Sequence, residues 1–176
     1  DVVVDLGDAT HLGWYEEQTF DEYKVDYMHR QFVTESIRKR APEGKIHVIP
    51  GNHDAGCSTE RLAWFSSVSG VVNPSVTTFD ADQARFVSWY KSCARTAIAN
   101  RASGMSLLAG GPKCTVCMIH EPSSSTAERI DLCRNCSLVL SGHDHQYERH
   151  SYCGRDEPII SEFTTSTAND AGANRK

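Results

Sequence analysis

The chain is predicted to be an α/β protein, and two observations carry that expectation. Four short apolar runs each end in a polar loop bearing Asp, Asn or His, and the segments between them hold helix-period patterns and stop signals. Strands that present ligand-bearing loops at their carboxyl ends are the habit of open α/β sheets.

Val2 to Leu6 is the first strand, broken by Gly7-Asp8-Ala9-Thr10, so that Asp8 falls at its carboxyl end. From Phe20 to Arg40, Phe20, Tyr23, Tyr27, Phe32 and Ile37 are interleaved with charged residues, and Ala41-Pro42-Glu43-Gly44 follows. That pattern predicts a helix with a charged outer face and a sharp stop. Lys45 to Pro50 is a second strand running into Gly51-Asn52-His53-Asp54. Asp80 to Ala99 mixes Phe86, Val87, Trp89, Tyr90 and Ala97 with polar residues, which predicts a helix, and Asn100 to Gly111 reads as a loop. Cys114 to Ile119 is a third strand leading to His120, and Cys136 to Leu140 a fourth leading to Gly142-His143-Asp144-His145. The tail from Thr164 to Lys176 reads as a strand followed by a frayed end. With no internal repeat and no linker, residues 1–176 read as a single domain.

Composition restricts the partners. No apolar run approaches the ~18 residues that a membrane span requires. Eighteen Lys+Arg against 23 Asp+Glu give a formal charge of -5, which leaves no basic field to hold nucleic acid. Oligomeric state is left open. Asp1 opens what reads as a strand already under way, so the chain is expected to be truncated at its N-terminus. The seven cysteines and the Asn135-Cys136-Ser137 glycosylation triplet lean toward a secretory or extracellular location without fixing the compartment.

Chemistry concentrates in the strand-end loops. Asp8, Asn52, His120, His143 and His145 combine oxygen with imidazole donors, a mixture that suits Mn, Fe or Zn better than Mg or Ca. Asp8 is the one candidate suited to bridging two cations. Each residue also has an ordinary reading, as a turn former, a helix cap or a satisfied core histidine, and it is their order and spacing that favour function. A Gly-Asn-His-Asp tetrapeptide arises by chance in a chain this long with a frequency on the order of 10⁻³. Cys114-x-x-Cys117 and Cys133-x-x-Cys136 have the spacing of a zinc ribbon. Residues three apart on a strand point to opposite faces, so buried thiols or one disulfide are expected instead. Cys57 is expected to pack beside the site.

Gly7-Asp8, Gly51-Asn52-His53-Asp54, His120 and Gly142-His143-Asp144-His145, in that order over residues 1 to about 150, resemble the calcineurin-like metallophosphoesterases. Gly142 to Arg149 is similar to the Gly-His-x-His-x-Tyr-Glu-Arg signature of the purple acid phosphatases, although His11 stands where their iron-binding tyrosine would. The resemblance implies a two-sheet sandwich flanked by helices, here missing its first strand, with the site at one end of the sheets. It implies a hydrolase that cleaves phosphate mono- or diesters with a metal-bound hydroxide at a dinuclear centre. Asp8 would bridge, Asn52, His120 and His143 would complete one metal, and His145 would ligate the other. His53 would face the scissile phosphate, with Asp54 holding its ring. His11, Tyr147 and Arg149 are candidates for substrate binding. The family's first Asp-x-His motif has no counterpart, so only one of the two metals is fully ligated within the chain. The alternative is a non-catalytic scaffold of the same fold that lacks one metal site.

Overall fold

The structure is a computed structural model. It describes residues 2–8, 19–22, 24, 25, 28, 47–109, 114–123 and 125–144 with their side chains, and the backbone of 46, 148–152 and 160–164. Helix α1 is seen at positions 20–22, 24, 25 and 28, and the remainder of the helix expected from Phe20 to Arg40 lies outside the described residues. In chain order the other elements are β1 (Val3–Asp5), β2 (Ile46–Val48), α2 (Asn52–Ala55), α3 (Thr59–Ser69), β3 (Val76–Ala81) and β4 (Ala84–Trp89). They continue with α4 (Ala94–Ser106), β5 (Cys114–Ile119), α5 (Thr126–Asn135), β6 (Leu138–Ser141), β7 (Glu148–Tyr152) and β8 (Ile160–Thr164).

Two sheets form. In the first, β1 and β2 pair in parallel, Val4 opposite His47. The second has the order β3-β4-β5-β6-β8-β7, with β4, β5, β6 and β8 parallel and the edge strands β3 and β7 antiparallel to their neighbours. The period-two alternation of the strands sorts the side chains into layers. Val116 and Met118 of β5 and Leu138 and Leu140 of β6 meet Val4, Leu6 and Ile49 of the first sheet. Cys117, Ile119 and Val139 turn the other way and pack with Leu132 of α5 and Leu108, which follows α4. On the far side of the first sheet, Val48 packs with Phe65, Trp64 and Val68 of α3 and with Phe20. The result is helix, sheet, sheet, helix: the two-sheet α/β sandwich flanked by helices that was expected.

The helix expected over Asp80–Ala99 is not formed. Asp82 and Gln83 turn a hairpin between β3 and β4, and only the stretch from Ala94 onward is helical. Val87 and Trp89 are buried in the helix-facing core while Phe86 faces the first sheet, because β4 is covered by helices on one face and by the first sheet on the other. A strand covered on both faces loses the alternation that would distinguish it from a helix. The expected loop from Asn100 is the second half of α4, and α3 and α5 fill segments for which no helix was expected. Both have N-caps, Ser58 accepting from the Arg61 N–H and Ser125 from the Glu128 N–H. The strand and frayed end expected from Thr164 to Lys176 lie, beyond Thr164 itself, outside the described residues; β8 ends at Thr164.

The cysteines pair across elements. Cys117 is joined to Cys136, which removes the zinc-ribbon arrangement, and Cys133 is also disulfide-bonded. Cys57 does not simply pack: it is bonded to Cys93, the residue that precedes α4. Among the described residues Cys114 is the free thiol.

Lys91, just past β4, donates to both carboxylate oxygens of Glu128 in α5 at 2.9 and 3.1 Å and to the Pro122 carbonyl at 2.8 Å. The pair is nearly buried. Removing one partner of a buried pair leaves the other charge stranded, so Lys91→Met should cost about 3–5 kcal/mol. Urea denaturation measures this, and a loss under about 1 kcal/mol would show that Glu128 is satisfied without the lysine.

Candidate metal centre

Each of the four strand-end loops delivers one donor to the same end of the sandwich. Asp8 follows β1, Asn52 opens α2 just after β2, His120 directly follows β5 and His143 follows β6. The two sheets therefore contribute two donors apiece.

Close backbone approach brings the first two loops together. A Cβ on Gly51 would stand 2.2 Å from Asp8 Oδ1, and one on Gly7 would stand 2.5 Å from the Gly51 nitrogen. Neither position has room for a side chain, and Gly7 also has a φ of +95°, in the region glycine enters freely. The contact is held by Asp54. Its Oδ2 accepts the Gly51 N–H and the Asp8 N–H, both at 2.8 Å. The Gly51 bond is the backward half of a capping box, serving a helix whose N-cap residue has no side chain. Asp8 supplies the missing cap from the other loop, with Oδ1 accepting the His53 N–H at 3.0 Å. Burial pushes the Asp54 carboxyl up to about 7, opposed by the Gly51 N–H and reinforced by the Asp8 charge.

The histidines are aimed by backbone groups. His120 is 2% exposed, and its Nδ1 lies 2.6 Å from the Leu6 carbonyl, so Nδ1 carries the proton and donates. Its Nε2 then points inward, 2.8 Å from Asn52 Oδ1 and 3.1 Å from Asp8 Oδ2. His143 Nδ1 lies 2.9 Å from Asn52 Oδ1 and 3.3 Å from His120 Nε2. Asp8 and His143 have φ of +57° and +75°, unfavourable for residues with a Cβ and retained where the surroundings over-determine them.

Four atoms able to ligate a metal, Asp8 Oδ2, Asn52 Oδ1, His120 Nε2 and His143 Nδ1, thus converge. Asp8, His120 and His143 have ligand atoms all within 4.8 Å of one another. Asp8 Oδ2 is buried and accepts no hydrogen bond of acceptable direction despite its closeness to His120. Such a cluster requires a positive charge. Protonation of His120 is one answer: burial by itself disfavours the imidazolium, but Asp8 outweighs it and raises the His120 pKa. Burial likewise pushes Asp8 up, and the His120 ring and His53 N–H outweigh it, lowering Asp8. A cation is the other. Donors ~2.0–2.2 Å from one ion stand roughly 2.8–3.6 Å apart in tetrahedral or octahedral arrangement, and the nearest-neighbour spacings match. The residues present fit a transition metal.

Of the residues singled out in the sequence, the structure brings Asp8, Asn52, His120 and His143 together. His53 is half-buried beside Asp8, and Asp54 is fully buried beneath both loops. His11, His145 and Tyr147 lie outside the described residues, as does the side chain of Arg149 on β7. Two contributors escaped sequence reasoning. The Leu6 carbonyl has no side-chain signature, whereas the steric role of Gly7 and Gly51 was signalled by a glycine preceding the ligand in both motifs.

No protein-family model matches the chain, and no curated protein matches it by sequence. Among solved structures it is similar to the sulfate thiohydrolase SoxB of Thermus thermophilus, with a TM-score of 0.55 and 13% sequence identity. The similarity covers 94% of this chain and 34% of that one, so the chain spans about a third of the length of the enzyme it resembles. At this identity what is shared is the fold.

Proposed function

We propose that this chain forms the metal-holding part of a hydrolase that cleaves phosphate mono- or diesters. The observation that carries the proposal is the convergence of Asp8 Oδ2, Asn52 Oδ1, His120 Nε2 and His143 Nδ1 around a buried carboxylate oxygen with no hydrogen-bond donor. The similarity of fold to a hydrolase supports the same reading. Asp8, Asn52, His120 and His143 would hold one ion of Mn, Fe or Zn, with Asp8 also available to bridge to a second on which His145 would sit. When bound, such ions polarise a phosphoryl oxygen and make water nucleophilic near neutral pH.

The chain's own groups would then do the following. Leu6 fixes the tautomer of His120, keeping Nε2 free to coordinate. Asp54 holds the Asp8 and Asn52 loops in register. His53 would protonate the leaving oxygen or stabilise charge on the phosphoryl group, from a position beside Asp8 and outside the ligand cluster. His11, Tyr147 and Arg149 would bind the substrate. Cys57–Cys93 and Cys117–Cys136 favour an oxidising compartment, secretory or extracellular. Among the described residues no helix is long and apolar enough to cross a membrane.

A second reading, a metal-holding scaffold without turnover, is favoured by the gathering of the described donors into one cluster. Zn²⁺ or Mn²⁺ titration of the metal-free chain, with turnover of p-nitrophenyl phosphate and bis(p-nitrophenyl) phosphate, separates the two. Metal binding with turnover supports the enzyme, metal binding alone supports the scaffold, and no binding removes both.

Metal bound only by the folded chain should also stabilise it by ~2.7 kcal/mol at a hundredfold its dissociation constant. Thermal unfolding with and without chelator reads this shift. Mutation divides the roles: Asp8→Asn and His143→Ala should lose metal, whereas His53→Ala should retain it and lose turnover. Equal metal loss in all three variants would withdraw the catalytic role from His53.

A further inference from the structure

The metal-binding turn is too short to hold itself. Helix α2 is four residues long, below the length at which helices persist without tertiary support. Gly56 ends it with a φ of +53°, and its N–H bonds to the Asn52 carbonyl at 3.0 Å. Asp54 and Asp8 secure the amino end, facing the first sheet. What secures the other side comes from the second sheet.

Tyr90 follows β4 directly, and it is 4% exposed. Its hydroxyl donates to the Gly56 carbonyl at 2.9 Å and lies 3.4 Å from the Gly51 carbonyl, so one phenol spans both ends of the turn. The ring packs with Ala55, Cys93 and Leu62. Three residues on, Cys93 is bonded to Cys57, immediately after Gly56, with a Cα–Cα distance of 4.8 Å. Tyr90 is itself anchored: its N–H donates to the Ser75 carbonyl at 2.8 Å, and the Asn100 side-chain amide donates to its carbonyl at 2.8 Å. Burial pushes the phenol above its usual range, so it stays a donor at any working pH.

These contacts have one geometric meaning. Asp8 and Asn52 come from the first sheet, and His120 and His143 from the second. The separation of the two pairs depends on whatever ties the turn to the second sheet. We propose that Tyr90 and the Cys57–Cys93 disulfide form a positioning clamp that sets Asn52 against His120 and His143, making metal affinity dependent on the phenol hydroxyl and on the oxidised disulfide. The proposal rests on the metal reading above. Tyr90 and the disulfide are positioning groups: they touch the turn, and the turn carries the ligand.

The test is Co²⁺ binding by the full chain, followed by titration and by the Co²⁺ absorption spectrum, in four proteins. These are the oxidised wild type, Tyr90→Phe, the pair Cys57→Ser/Cys93→Ser, and the pair Cys117→Ser/Cys136→Ser as a control whose disulfide lies in the helix-facing core. Tyr90→Phe and the first cysteine pair are expected to weaken Co²⁺ binding by about 10–100-fold and to alter its spectrum, as loss of groups supporting a ligand does. The control pair is expected to bind within about twofold of wild type even where it unfolds at lower temperature. Combining Tyr90→Phe with the first pair is expected to cost less than the product of the separate losses, because both act on one turn. Wild-type affinity and spectrum in a folded Tyr90→Phe protein would overturn the clamp, as would an equal loss in the control pair. Absence of Co²⁺ binding in the wild type would instead remove the metal reading, and the clamp with it. Should either cysteine pair fail to fold, Tyr90→Phe, which deletes one oxygen and retains the ring, decides the matter alone.

Discussion

One buried carboxylate oxygen underlies the arrangement at the end of the sandwich. Asp54 Oδ2 accepts N–H groups from Asp8 and Gly51, which lie in the loops after two neighbouring parallel strands. The β1–β2 ladder extends over three residue pairs and cannot by itself dictate the course of the loops beyond it. A buried acceptor shared between them does, because leaving it unpaired in an apolar setting would be costly. The glycines follow from this. Two backbones drawn to the same oxygen leave no room for a Cβ on Gly7 or Gly51.

From that contact the rest of the site can be derived. Asp8, drawn across the loop, takes a left-handed backbone conformation and caps the His53 amide, which turns its other oxygen toward His120. His143 takes up similar strain on the opposite sheet. The buried space holds an orphaned carboxylate oxygen and an imidazole whose pKa is raised by that carboxylate against the effect of burial. A positive charge, carried by a proton or a metal ion, satisfies the orphaned oxygen. The site is thus also a joint between the sheets, which pack on each other through apolar contacts around Met118 and Ile49.

Much of this was legible in the sequence. Each ligand-bearing strand was placed because a short apolar run ending in Gly-Asp, Gly-Asn-His-Asp, His or Gly-His has few local interpretations. Recognition failed where burial was two-sided or where local cues were weak. Phe86 to Trp89 carries apolar groups on both faces since β4 lies within a sheet between two helices and a second sheet, and such a run has no period to read. Helices α3 and α5 have only a modest apolar stripe, and their capping serines were the available clue.

By itself the sequence determined which residue types stand at the strand ends, and hence the donor set of Asp, Asn and His and the glycines that allow close approach. Those are properties of short segments, written in local order. Tertiary structure alone decided that the donors meet, that Asp54 serves the backbone of two loops, that Leu6 orients His120, and that Cys57 pairs with Cys93. The physical reason is separation along the chain. His120 and Leu6 are 114 residues apart, and only the packing of one sheet on the other gives their contact a location.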